Sequence, residues 1–123
     1  MPYDQTSVRV EKSQQEIRKL LLKFGVQAVR FTTFPPSAML EFVRKVDTGG
    51  LIPYRVTIIP KVKEKIDAAS WDRAERQVWR VTYWWMKAKL EAVQFGLVEF
   101  EQDFLPYMLL AGPSGLSETV AKL

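Results

Sequence analysis

Residues 68–95 contain neither proline nor glycine, and this stretch constrains the chain more than any other part of it. It reads as one helix of about 28 residues, roughly 42 Å at the usual rise per residue. Trp71, Ala74, Val78, Val81, Trp85, Ala88, Ala92 and Phe95 recur at alternating three- and four-residue steps. That spacing puts them on one stripe, the natural candidate for the core. Arg73, Arg76, Arg80, Tyr83 and Lys87 follow the same step two positions later, near the opposite side. Trp79 and Trp84 project on either side of this basic stripe. The apolar surface is therefore wider than one packing partner normally covers, and a helix apolar on several sides is buried on several sides.

Composition narrows the chemistry. A chain of 123 residues, 47% hydrophobic and 26% charged, fits one globular domain with a real core. No apolar run approaches the 18 or so residues of a membrane span, and no leader pattern opens the chain, so a cytoplasmic protein is expected. Cysteine and histidine are both absent. Without them there is no disulfide, no thiolate nucleophile, no imidazole base and no common zinc ligand. A non-enzymatic protein with no cofactor and no metal is expected. The formal charge of +4 is concentrated in the first three quarters of the chain, and the last quarter is acidic. Such a body is compatible with a polyanionic partner.

The rest of the chain supplies the elements around this helix. Residues 1–12 are polar except for the alternating Val8 and Val10, an arm or short edge strand. Ser13 with Glu16 has the form of a capping box, opening a helix with Ile17, Leu20, Leu21 and Phe24 on its apolar face and Gly25 at its end. Residues 26–34 are rich in Val, Phe and Thr, which predicts a strand stopped by Pro35 and Pro36. Residues 38–46 fit a short helix capped by Ser37 or one face of a strand. The Asp47-Thr48-Gly49-Gly50 turn and the clear strand at 54–59 favour a hairpin, hence a strand. After Pro60 come Lys61, Lys63 and Lys65, which share one side if the chain is extended. Beyond Gly96, Phe100, Phe104, Tyr107 and Met108 predict a short helix started or kinked at Pro106. Residues 112–115 are a flexible break, and 112–123 a flexible tail holding at most one marginal turn. The order predicts a single α+β domain over 13–111. A helix precedes a three-stranded antiparallel meander, a long helix and a short C-terminal helix, with one sheet face covered by helices.

Two constellations compete for function. Arg73, Arg76, Arg80, Tyr83 and Lys87, extended by Arg55, Lys61 and Lys63, combine cations for phosphates with aromatic faces for bases. A solvated helix face with intrahelical ion pairs explains the same residues, leaving Trp79 and Trp84 as core or as an oligomer interface. Glu99, Glu101 and Asp103 invite a metal-nuclease reading, but no third acidic strand residue or catalytic lysine stands at a recognisable spacing. Gly49-Gly50 lacks a phosphate-loop lysine and is a turn.

Residues 13–25 (SQQEIRKLLLKFG) and the segment KAKLEAVQFGLVEFEQDFLPYMLL within 79–110 resemble a family of small uncharacterised proteins encoded by bacteriophages and integrated mobile elements. The resemblance implies a mobile-element setting and, with it, an accessory role in DNA replication, recombination or packaging. The order helix, three strands, helix is also similar to that of the double-stranded-RNA-binding domain, without its basic helix-start motif or histidine loop. Strands followed by a long helix resemble phage single-strand annealing proteins by topology alone. The expectation is a nucleic-acid-binding accessory protein, with DNA in first place. The alternative is a homo-oligomeric interaction module that uses the Trp-rich helix as its interface.

Overall fold

The computed structural model describes residues 7–62, 67–111 and 117–119. The first helix, α1, spans Val10–Leu22 and starts earlier than the Ser13 capping box predicts. Extended Arg9 is the residue before the helix, and its carbonyl already accepts from the Ser13 N–H at 3.2 Å. The early start brings Val10 against the core, alongside Ile17 and Leu21. Ser13 is fully buried and caps nothing, while Glu16 reaches another helix instead. The boundary predicted between arm and domain at 12/13 therefore moves to Arg9, and Val8 and Val10 form no strand.

Three strands follow: β1 at Val26–Phe34, β2 at Ser37–Lys45 and β3 at Leu51–Ile58. They form an antiparallel meander in that order. The ambiguous segment is thus a strand, and the alternation explains why. Ala38, Leu40 and Phe42 point into the core, while Met39 and Glu41 point away. The turn into β3 closes through Val46 N–H to Gly50 O at 2.9 Å, with Gly49 at a φ of 90° that a side chain would oppose. β3 begins before the predicted 54–59 and takes in Pro53. Proline is tolerated there because β3 lies at the edge of the sheet and needs no donor on its outer side.

The long helix is α2, Ala68–Gln94, with Asp67 accepting from the Ser70 N–H at 2.7 Å at its start. It ends in a Schellman motif at Gly96, where Leu97 N–H reaches Ala92 O and Gly96 N–H reaches Val93 O. The element is where the sequence places it, but its rotation is not. The buried residues are Ala74, Trp79, Thr82, Met86 and Leu90. From 78 onward this is the predicted Val78–Val81–Trp85 stripe advanced by one residue, about 100° of helix rotation. Phe95, predicted in the core, is 81% exposed, and Ala88 is exposed as well. Trp85 is half-buried and touches Phe104 and Tyr107 edge-on. The polarity of Thr82 hides the true seam from a sequence reading, because its hydroxyl donates to Val78 O at 2.7 Å and so enters the core already satisfied.

The C-terminal segment closes one end of this core. A single turn, α3 at Phe100–Asp103, is followed by a 3₁₀ turn at Leu105–Tyr107 and a strand, β4, at Leu109–Ala111. β4 pairs with β5 at Ser117–Thr119, so part of the predicted flexible tail is a strand. The short helix is present as expected but ends at Asp103, and Pro106 falls within the 3₁₀ turn that follows. Its two aromatic residues pack as a stacked pair, Phe100–Phe104, at 4.5 Å. That pair meets a second stacked pair, Phe42–Tyr54 at 5.1 Å, nearly at right angles. Edge-to-face contact of this kind is the favoured arrangement of aromatic quadrupoles.

Trp79 is fully buried, edge-on to Phe31 at 5.5 Å, and its indole N–H has no acceptor. Trp79→Ala is expected to cost about 3–5 kcal/mol in urea denaturation, as other large-to-small core changes do. Trp79→Phe should cost much less, because it removes the unsatisfied donor and keeps most of the volume. A smaller loss for Trp79→Ala than for Trp85→Ala would return the seam to its predicted position.

Candidate nucleic-acid interface

The basic residues singled out from the sequence separate into two groups. Arg76 pairs with Asp72 one turn earlier at 3.4 Å. Arg80 is largely buried and pairs with Glu16 of α1 at 2.8 Å, tying the two helices together. Arg55 lies on the opposite side of the molecule, on the sheet face that the helices leave uncovered. There it forms a row across all three strands with Glu41 and Arg30, in register. Glu41 accepts from Arg55 at 3.0 Å and from Arg30 at 2.8 Å. These three predicted contacts are thus engaged within the fold. Arg73 is exposed and carries no ion pair among the described residues. Lys61 is exposed just beyond β3, and Lys63 and Lys65 lie outside the described residues. Among the described residues, Arg55 on the uncovered sheet face does not join the α2 stripe.

The two tryptophans also part company. Trp79, expected at an interface, is in the core. Trp84 is 40% exposed. Around it stand Tyr83, edge-on at 5.1 Å, the Arg80 guanidinium at 5.7 Å and the Lys87 ammonium at 5.0 Å. Arg80 also lies 4.3 Å over the Tyr83 ring. Because Glu16 fixes Arg80, this basic-aromatic cluster is held from both sides: by the ion pair below and by the packing of Tyr83 on the core.

Helix α1 contributes cations that the sequence analysis did not single out as binding residues. Lys12, Lys19 and Lys23 lie within about 40° of one another on a helical projection, all are exposed, and none has an ion pair among the described residues. The Glu16–Arg80 pair and a shared cleft at the helix starts show that α1 and α2 run side by side in the same direction. At the 64-residue offset of that pair, Lys19 falls level with Tyr83 and Lys23 with Lys87. The signal was present in the sequence as Lys12, Lys19 and Lys23 at helical spacing. Only the pairing of the two helices joins it to Trp84.

The shared cleft, about 480 Å³, bounds this patch. Glu11, Asp72 and Glu75 line it together with Arg9 and Arg76. Burial raises the Glu75 carboxyl above its ordinary value, and the neighbouring Asp72 and Glu11 add to the effect. With three carboxylates against two guanidiniums, the N-terminal end of the helix pair does not favour an anion. The positive surface therefore centres on the middle of α2, not on its first turns. The other acidic cluster is also engaged: Glu101 bonds to Arg44, and Asp103 to Lys89 at 3.0 Å. Among the described residues no group of three acidic side chains is placed to hold a metal, and no helix is long and apolar enough to cross a membrane. Comparison with protein-family models, with curated proteins and with solved structures finds no match for this chain.

The Arg30–Glu41–Arg55 row has a titration consequence. Burial pushes the Glu41 carboxyl up, but the two guanidiniums outweigh it and hold it below its ordinary value of 4.5. A carboxylate depressed in the fold stabilises above its unfolded value, and that contribution is lost as pH falls through the lower folded value. The parent should therefore lose more stability than Glu41→Gln between about pH 5 and about pH 3. Parallel urea titrations of the two proteins check this, and equal losses would assign the acid sensitivity to other groups.

Proposed function

We propose that this protein binds nucleic acid, DNA in the first instance, through the outer face of the α1–α2 pair. The observation that carries the reading is Trp84, exposed between Arg80 and Lys87 and level with the lysines of α1. Phosphates supply most nucleic-acid affinity, and aromatic faces beside cations accept unstacked bases without regard to sequence. Lys19, Lys23, Arg73 and Lys87 follow the backbone in this reading. Trp84 offers the ring, and Arg80 positions that ring without itself leaving Glu16. The preference is for a single strand, because a duplex does not expose base faces to a side chain on a convex helix pair. The resemblance to phage-encoded proteins supports DNA as the ligand and an accessory, non-enzymatic role in the cytoplasm.

Self-association through the Trp-rich helix is the weaker reading, since one of its two tryptophans is interior. The two separate in one experiment. Fluorescence anisotropy with a labelled oligothymidylate is expected to show binding that weakens steeply with salt. Lys19→Gln combined with Lys23→Gln and Arg73→Gln should lower the salt slope by roughly two to three, close to one for each charge removed. The melting point should barely change, because exposed charges contribute little to stability. Trp84→Ala should weaken binding by about 1–3 kcal/mol. Parent protein that retains no oligonucleotide at low salt would end the proposal, and so would a folded triple variant that binds as well as the parent.

A further inference from the structure

The sheet has two edges, and they are treated differently. On β3, Pro53 lacks a donor for the outer edge, and Tyr54 bridges to Met108, which brings β4 and β5 alongside. β1 pairs with β2 on one side and, among the described residues, with no strand on the other. It is nine residues long and contains no proline and no lysine, and its one irregularity is a register shift between Val26 and Ala28 at its start. Edge strands of this length are usually blunted by such residues or covered, because their unpaired N–H and C=O groups template another strand. Gln27, Ala28, Arg30 and Thr33 of β1 are exposed.

Beside the edge lies a cleft of about 630 Å³ between α1 and Phe31 of β1, which shares Arg9, Glu11 and Gln14 with the cleft between the two helices. Phe31 forms its floor, and Arg9, Lys12, Gln14 and Arg18 line its wall together with Glu11. The Arg18 guanidinium sits 5.3 Å over the Phe31 ring. Three cations stand against one carboxylate there. On the other face of the strand Arg30 is 73% exposed.

We propose that the free edge of β1 and this cleft form a docking groove for an extended acidic segment of a partner protein, which adds to the sheet as a fourth strand. Successive side chains of an added strand point to opposite faces. One set therefore enters the cleft towards Arg9, Lys12 and Arg18, and the other lies beside Arg30. The β1 backbone supplies the hydrogen bonds that hold the segment, and the cations of the cleft select its charge. A second copy of this chain is a poorer occupant for two reasons. It brings the same cations to the same groove. It also brings a second α1, and packed helices need about 8–10 Å between axes where neighbouring strands are only about 4.8 Å apart.

The test uses the full chain and nine-residue synthetic peptides, followed by amide NMR and hydrogen exchange. A peptide alternating valine with glutamate should shift and protect the amides of residues 27–33 saturably, while its valine–lysine counterpart should not. N-methylation of alternate peptide residues should abolish binding in one of the two possible sets and spare it in the other, since only one set faces β1. Arg9→Glu with Arg18→Glu should weaken the peptide at least tenfold, and Lys19→Gln with Lys23→Gln should not. Equal binding of the lysine peptide, equal effects of both N-methyl sets, or shifts that bypass β1 would each overturn the proposal. Three other results would overturn it too. One is no binding at millimolar peptide. Another is protection of β1 in a peptide-free dimer, which assigns the edge to a second copy. The last is displacement of the peptide from β1 by oligothymidylate, which assigns the groove to nucleic acid. Trp84, Lys19 and Lys23 do not line the groove, so failure of one reading leaves the other standing.

Discussion

Burial of Trp79 sets the rotation of the long helix, and most of the surface follows from that one angle. A helix of 27 residues with five aromatic side chains on several sides has several ways to face a sheet. Placing the largest side chain against Phe31 and fully out of water commits Thr82, Met86 and Leu90 to the same seam. Arg80 then falls beside α1, where Glu16 meets it, and Trp84 turns outward. The burial stabilises even though the indole N–H goes unsatisfied, because the area of a fully buried tryptophan outweighs one lost hydrogen bond.

The second determinant is the four-ring cluster at the end of the sheet. Phe42 and Tyr54 belong to the central and edge strands, while Phe100 and Phe104 arrive from beyond the long helix. The cluster fastens the C-terminal segment to the meander. Arg44, 4.5 Å over Phe100 and bonded to Glu101, covers it from solvent. Lys89 plays a similar part, bonding to Asp103 while lying over Trp85 and Phe104. Cations at these places have aromatic and acidic partners of their own, so their charge belongs to the fold and not to a binding surface.

That division applies to the whole basic content. Arg44, Arg55, Arg80 and Lys89 are used to join elements across the fold. Lys12, Lys19, Lys23 and Arg73 have no ion pair among the described residues and lie on the helical layer. Net charge counts both kinds equally, which is why a positive balance says so little about where a polyanion would sit. The uncovered sheet face, with its neutralising Glu41 between two arginines, is a structural surface by the same accounting.

The sequence by itself determined the elements and their order. A proline- and glycine-free run specifies the long helix, Gly25 and Gly96 end the two main helices, and alternation with a Gly-Gly turn specifies the hairpin. These features act within a few residues of backbone, so local chemistry is enough to read them. Tertiary structure decided which face of the long helix is inside, which arginines are spent in ion pairs, and that Ser13 is core instead of cap. The predicted stripe and the true seam have the same period, and period alone carries no information about direction. Only the partner surface, here Phe31 and the inner side of the sheet, distinguishes the two. The same holds for charge: Arg80 and Lys19 look alike in the chain, and a carboxylate 64 residues away makes one of them structural.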